Sequence, residues 1–135
     1  MNKRNRLFTG LALLLLTAVL IFSQYTFHDD PSGCAVSAEE ISQAVKDEVV
    51  VLDVRTKGEF DGGHIENAVL IDVTSSGFVS EVSKLDKNKT YYVYCKTGIR
   101  SQRAVNYMQG NGFSDVCNVP GGIRSLVRGG AKLVQ

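Results

Sequence analysis

The 135-residue sequence is poor in cysteine, with three, and in histidine, with two. An odd and small number of cysteines cannot close a disulfide framework, so at least one thiol is unpaired or reactive. Cys34, Cys95 and Cys117 are scattered along the chain with His28 and His64. They offer no zinc-ligand spacing, so no metal is expected. Basic residues are not in excess either: 15 Lys and Arg stand against 14 Asp and Glu. Lys3, Arg4 and Arg6 all precede the first apolar run, which leaves 12 basic against 14 acidic side chains, or −2. Binding to nucleic acid through phosphate neutralisation is thereby excluded. A hydrophobic content of 44% and a charged content of 21% are ordinary for a globular chain and argue against disorder. The length suits one domain.

The longest apolar run lies at the start. Leu7–Ser23 follows the three basic residues and spans 17 positions. As a helix it would measure about 25 Å, just short of a hydrocarbon core of roughly 30 Å. Basic start, apolar stretch and polar exit form the pattern of an export signal, although Ile21-Phe22-Ser23 lacks the A-x-A cleavage signature. Residues 1–23 are read as a signal peptide or a retained signal anchor, and both remain open. In either case positive charge stays inside, so the folded part is expected in the periplasm or another extracytoplasmic space, free or held at the inner membrane. Membrane contact is expected only through this segment, if it is uncleaved. Residues 24–33 read as a polar linker, and residues 34–135 as one domain.

Within that domain, Ser37 and Glu40 form a capping box opening a short helix with Ile41, Ala44 and Val45 on one face. Val49–Leu52 is a continuous β-branched run, the mark of a strand covered on both faces. Gly58–Gly63 suits a turn and a short helical piece. Ala68–Ile71 is a second strand; Phe78, Val79, Val82 and Leu85 have helical spacing. Tyr91–Tyr94 is a third strand, with its three tyrosines assigned to packing. Ala104, Val105 and Met108 mark the next helix, Val116–Val119 a last strand, and Pro120-Gly121-Gly122 leads into a C-terminal helix. Strands alternating with helices imply an α/β fold with a central parallel sheet flanked by helices. In such sheets ligands sit beyond the carboxyl ends of the strands, where Cys95 falls.

Cys95–Arg100 joins a buried strand to a helix N-terminus. A thiol there faces N–H groups without intrahelical partners and the positive end of the helix dipole. Lys96, Arg100 and Arg103 add positive charge. All three effects favour thiolate, so the Cys95 pKa is expected below the ordinary thiol value. Gly98 lets the loop curl into an anion-binding nest. A nucleophilic sulfur in such a cradle points to an anionic substrate.

The same residues resemble the rhodanese, or sulfurtransferase, family. Leu52-Asp53-Val54-Arg55, Glu59-Phe60, Gly63-His64-Ile65 and Ala68 resemble its first block. Cys95–Arg100, followed by Ser101 and Ala104, resembles its active-site loop. Gly112-Phe113, Val116 and Gly121-Gly122 resemble its closing block. The likeness is closest to small, exported, single-domain bacterial rhodaneses. It implies transfer of sulfane sulfur from a small anionic donor such as thiosulfate, through a Cys95 persulfide, to cyanide, a thiol or a thioredoxin-like protein. No cofactor is implied. Catalysis falls to Cys95, and substrate binding to Lys96, Thr97, Gly98, Ile99 and Arg100. The loop has six residues from Cys95 to Arg100, whereas related phosphatases and arsenate reductases use seven; six favours sulfur. The rival reading is a non-catalytic rhodanese-like module that binds a partner or senses redox state through Cys95.

Asp53, Arg55 and Glu59 are supporting residues: Asp53 and Arg55 as an ion pair, Glu59 as a partner of Arg100. Arg100 either contacts substrate or only Glu59. His64 is expected to be structural, since attack by a thiolate needs no general base. Cys117 is read as inert core. Leu126 stands where the family often has tryptophan at the mouth of the pocket, which touches the choice of acceptor.

Overall fold

The computed structural model describes residues 36–44 and 49–135. The apolar tract and linker of residues 1–33, Cys34, and Val45, expected on the first helix, lie outside the described residues. Four apolar runs become four parallel strands: β1 (Val50–Asp53), β3 (Val69–Leu70), β4 (Thr90–Tyr94) and β5 (Asp115–Asn118). Their order is β3-β1-β4-β5, with Asp53 opposite Tyr94 at the carboxyl ends of the two central strands. Parallel pairing requires crossovers, and helices supply them. These are α1 (Ala38–Ala44), α2 (Lys57–Asp61), α3 (Phe78–Ser83), α4 (Ile99–Gly110) and α5 (Gly122–Arg128). The sheet flanked by helices is the architecture expected from the alternation of patterns.

Strand alternation splits the core in two. Leu52, Val54, Tyr91, Val93 and Cys95 pack with Phe78 and Val82 of α3 and with Ala104, Val105 and Met108 of α4. Val51, Tyr94, Cys117 and Val119 pack on the other face with Ile41 and Ala44 of α1 and with Ile123 and Leu126 of α5. The tyrosines divide in the same way. Tyr91 meets Phe113 edge-on and donates its hydroxyl to the Asp86 carbonyl, while Tyr94 accepts from the Ile65 N–H across the sheet.

Local expectations hold with some adjustments. Ser37 and Glu40 form the capping box, the Glu40 N–H donating to Ser37 Oγ and the Ser37 N–H to Glu40 Oε2. A second capping box, formed by Thr56 and Glu59, starts α2. Val79 is 53% exposed instead of facing the core, because a six-residue helix buries only the i, i+4 pair Phe78 and Val82. The sequence pattern also missed β2 (His64–Ile65), paired antiparallel with β6 (Leu133–Val134). Two residues are too few for alternation to register.

The start of α5 is fixed against the active-site loop. Gly122 has φ of +59°, and a Cβ there would collide with the Cys95 carbonyl and lie 2.7 Å from Lys96 C and Thr97 N. Gly122→Ala should therefore destabilise the domain by about 2–4 kcal/mol, read by chemical denaturation. The exposed, αR-compatible Gly58, with open space around its missing Cβ, is the control: Gly58→Ala should change stability little.

Candidate active site

Cys95 is the first residue beyond β4 and is completely buried. It is a free cysteine. The chain leaves the strand and rises over Lys96 and Thr97. It then turns at Gly98, whose φ of +95° is the left-handed conformation that only glycine adopts readily. The turn aims backbone N–H groups at the sulfur. The Gly98 N–H donates to Cys95 Sγ at 3.1 Å, and the Ser101 hydroxyl donates to it at 3.4 Å. Gly98 is held in turn by Asn118, whose Nδ2 donates to the Gly98 carbonyl at 3.3 Å and to Gln102 Oε1 at 2.9 Å.

Burial alone pushes the Cys95 thiol up. Hydrogen bonds from the Ser101 side chain and from the amides of Ser101, Thr97 and Gly98 outweigh it, and the pKa ends below its ordinary value. The direction is the one expected from the loop, and the backbone N–H groups and Arg100 are among the agents expected. Lys96 and Arg103, also expected to contribute, are exposed side chains and are not among the main causes of the shift. The thiolate is stabilised by short-range N–H and O–H donors, with the Arg100 charge coupled to the sulfur beside them.

Arg100 forks onto Glu59, with both nitrogens 2.8 Å from carboxylate oxygens. The hydrogen bond to Glu59 is also the main force raising the Arg100 pKa. Burial opposes it, and the Glu59 and Cys95 charges add to it. Glu59 falls from 4.5 to about 2, first through Arg100, against burial, and then through Thr56. This pair ties α2 to the start of α4. A second pair lies deeper: Arg55 grips the Asp53 carboxylate, Nη2 to Oδ2 at 2.6 Å, and donates to the Gly63 carbonyl at 2.9 Å. Its guanidinium lies 5.6 Å from the centre of the Tyr94 ring. Asp53 and Arg55 thus clip the end of β1 to the α2–β2 turn. His64 stacks on Phe60 at 3.6 Å and bonds the Phe60 carbonyl through Nδ1, in a structural position.

The predicted loop residues therefore separate. The amides of Thr97 and Gly98 face the sulfur. The side chains of Lys96, Thr97 and Ile99 face outward, Ile99 with 67% of its surface exposed. Ser101 and Asn118 were missed as site residues. The place of Ser101 in the first turn of α4, six residues after Cys95, was the available signal for the first; nothing local marked Asn118, which approaches from β5.

Two sequence expectations are corrected. Cys117 is not an inert thiol, because it is disulfide-bonded. Leu126 does not line the mouth of a pocket. It is 1% exposed, on the face of α5 packed against Val36 and Ile41. The outward positions are Arg124, Val127 and Arg128, which border a cleft of about 520 Å³ with Arg55, Glu59 and Lys96.

A buried, hydrogen-bonded cysteine at the carboxyl edge of a parallel sheet, leading into a helix, defines a cysteine-centred α/β domain. Comparison with known proteins gives the family. Residues 37–128 match the Rhodanese-like domain model, and the chain belongs to that family. It is 36% identical over 110 residues to the tRNA uridine(34) hydroxylase of Photorhabdus laumondii, covering 76% of this chain and 31% of that protein. The Yersinia enterocolitica tRNA uridine(34) hydroxylase is 36% identical over 108 residues, covering 73% and 30%. The chain thus spans about a third of the length of these relatives. Among solved structures, a rhodanese-related protein from Thermoplasma volcanium matches with a TM-score of 0.66 and 31% identity, covering 74% of this chain and 96% of that one. A rhodanese-like domain protein from Staphylococcus aureus matches at 0.63 and 30%, covering 75% and 98%.

Two predictions follow from the site's charges. Ser101→Ala should move the pH dependence of Cys95 alkylation to higher pH and slow it at neutral pH by roughly tenfold, measured with iodoacetamide. Glu59 titrates lower in the folded than in the unfolded chain. Its stabilisation is therefore complete above about pH 4.5 and is lost as pH falls toward 2. Glu59→Gln should lower stability at pH 7 by about 1–2 kcal/mol and flatten the acid limb of a plot of Tm against pH.

Proposed function

We propose that the protein is a sulfurtransferase that moves sulfane sulfur from a thiosulfate-like donor to a thiophilic acceptor. The observation that carries this reading is the Cys95 sulfur itself: free, buried, and held by the Gly98 amide and the Ser101 hydroxyl. In the first half-reaction the Cys95 thiolate attacks the outer sulfur of thiosulfate. The new bond joins Sγ to that sulfur, the S–S bond of the donor breaks, and its electron pair leaves with sulfite. Donors that stabilise the thiolate are placed to take the charge of the persulfide. In the second half-reaction the acceptor attacks the outer sulfur, and the electron pair of the broken bond returns to Cys95. Neither step needs a metal or an organic cofactor.

Export to an extracytoplasmic space belongs to the same proposal. The basic and apolar start supports it, and so does the disulfide at Cys117, since such bonds persist mainly outside the reducing cytosol.

Incubation with thiosulfate should add the mass of one sulfur atom to the protein, and cyanide should remove it with release of thiocyanate. Cys95→Ser should show neither change by intact-mass spectrometry. An unchanged mass in the wild type, or an equal gain in the variant, would overturn the reading and favour a binding or redox-sensing module.

A further inference from the structure

The cleft beside the loop is too large for the donor. At about 520 Å³ it falls in the size range of sites for small organic ligands, whereas thiosulfate has only five heavy atoms. One wall is α2 and its C-cap, through Gly58, Glu59 and Gly62; the other is α5, through Ile123, Arg124, Val127 and Arg128. α5 is bonded directly to the catalytic loop: the Ile123 N–H donates to the Cys95 carbonyl at 2.8 Å, and the Arg124 N–H to the Lys96 carbonyl at 3.5 Å. The cleft is lined by Lys96, one residue from the nucleophile.

Its charge is one-sided. Of the ionic residues on its walls, Arg55 is neutralised by Asp53 and Glu59 by Arg100. Lys96, Arg124 and Arg128 have no ion-pair partner among the described residues. Val127 and Leu133, 47% and 43% exposed, supply apolar surface between them. Three uncompensated cations around a small, partly apolar hollow favour a ligand bearing several negative charges on a short organic body.

We propose that this cleft is the acceptor subsite, and that it selects a small thiol carrying two or more carboxylates or comparable anionic groups. The proposal rests on the sulfurtransferase reading and names its acceptor class. The anionic groups lie against Arg124, Arg128 and Lys96, and the thiol reaches the loop. There the acceptor thiolate attacks the outer sulfur of the Cys95 persulfide. The bond between the two persulfide sulfurs breaks, its electron pair returns to Cys95 Sγ, and the acceptor departs as its own persulfide. No oxidant or reductant is consumed.

The test compares mercaptosuccinate, a dianionic thiol, with neutral 2-mercaptoethanol as acceptors from the thiosulfate-loaded protein. In the wild type kcat/KM, corrected for the thiolate fraction of each acceptor, should favour the dianion, and the preference should shrink as salt is raised. In the Arg124→Gln/Arg128→Gln double variant the ratio of the two values should fall by roughly tenfold to a hundredfold, chiefly through KM. A ratio unaffected by the substitutions would overturn the proposal. So would loss of transfer to a thioredoxin-like protein with the small-thiol ratio intact, which would make the cleft a protein-docking surface. A second measurement does not depend on sulfur chemistry: titration calorimetry with S-methyl mercaptosuccinate, which cannot accept sulfur. Binding that the double variant loses supports the subsite even if Cys95 never loads. Absence of binding to the wild type at low salt overturns the subsite even if Cys95 does load.

Discussion

The 2.8 Å hydrogen bond from the Ile123 N–H to the Cys95 carbonyl is the constraint on which the site depends. It holds the backbone of Cys95 against the first turn of α5, while the thiol accepts from the Gly98 N–H inside the curl of the loop. Such an approach is open only if residue 122 has no side chain, and Gly122, in a left-handed conformation, meets that requirement. The loop is thus squeezed between two glycines. Gly122 lets α5 approach from outside, and Gly98 lets the chain turn its amide inward. The Asn118 amide, reaching from the neighbouring strand, locks Gly98 in that orientation.

With the backbone fixed, the chemistry of Cys95 becomes a contest between burial and hydrogen bonding. A fully buried thiol without donors would stay protonated and inert. Here the donors win, and they do so at hydrogen-bond range in a poorly solvated site, with the Arg100 charge coupled to the same sulfur. Lys96 and Arg103 are left free of that duty. This division explains how a domain without basic excess can hold a thiolate. The loop handles the sulfur, while Lys96, together with Arg124 and Arg128, is available for the proposed acceptor.

The architecture was legible because it is written in strong, local patterns. Val49–Leu52 and Tyr91–Tyr94 are apolar runs of strand length, and their observed strands differ from these bounds by about one residue. Cys95 was legible from its place after a strand and before a helix, and the Glu59–Arg100 pair from the resemblance that aligned them. Contacts between elements distant in sequence were not. Asn118 is 20 residues from Gly98, and nothing near it signals the approach. Leu126 was misplaced for a related reason. A helix of seven residues has two faces one step apart, and only packing against Val36 and Ile41 determines that Leu126 turns inward while Val127 and Arg128 turn out. Cys117 looked like an inert thiol because a disulfide cannot be read from a strand's own apolar pattern.

That disulfide raises the question of how a reactive thiol survives in the same small domain. Strand alternation answers it. Cys95 belongs with Tyr91 and Val93 on the face covered by α3 and α4, whereas Cys117, registered opposite Tyr92, belongs to the face covered by α1 and α5. Thiol–disulfide exchange requires the attacking sulfur to reach the bond in line. The sheet, with its ladder of hydrogen bonds unbroken, stands between them. A shift of either residue by one position would bring both sulfurs to one side of the sheet, so the pleat itself keeps the nucleophile unpaired. Among the described cysteines, the free one and the bonded one thus lie on opposite faces of the sheet.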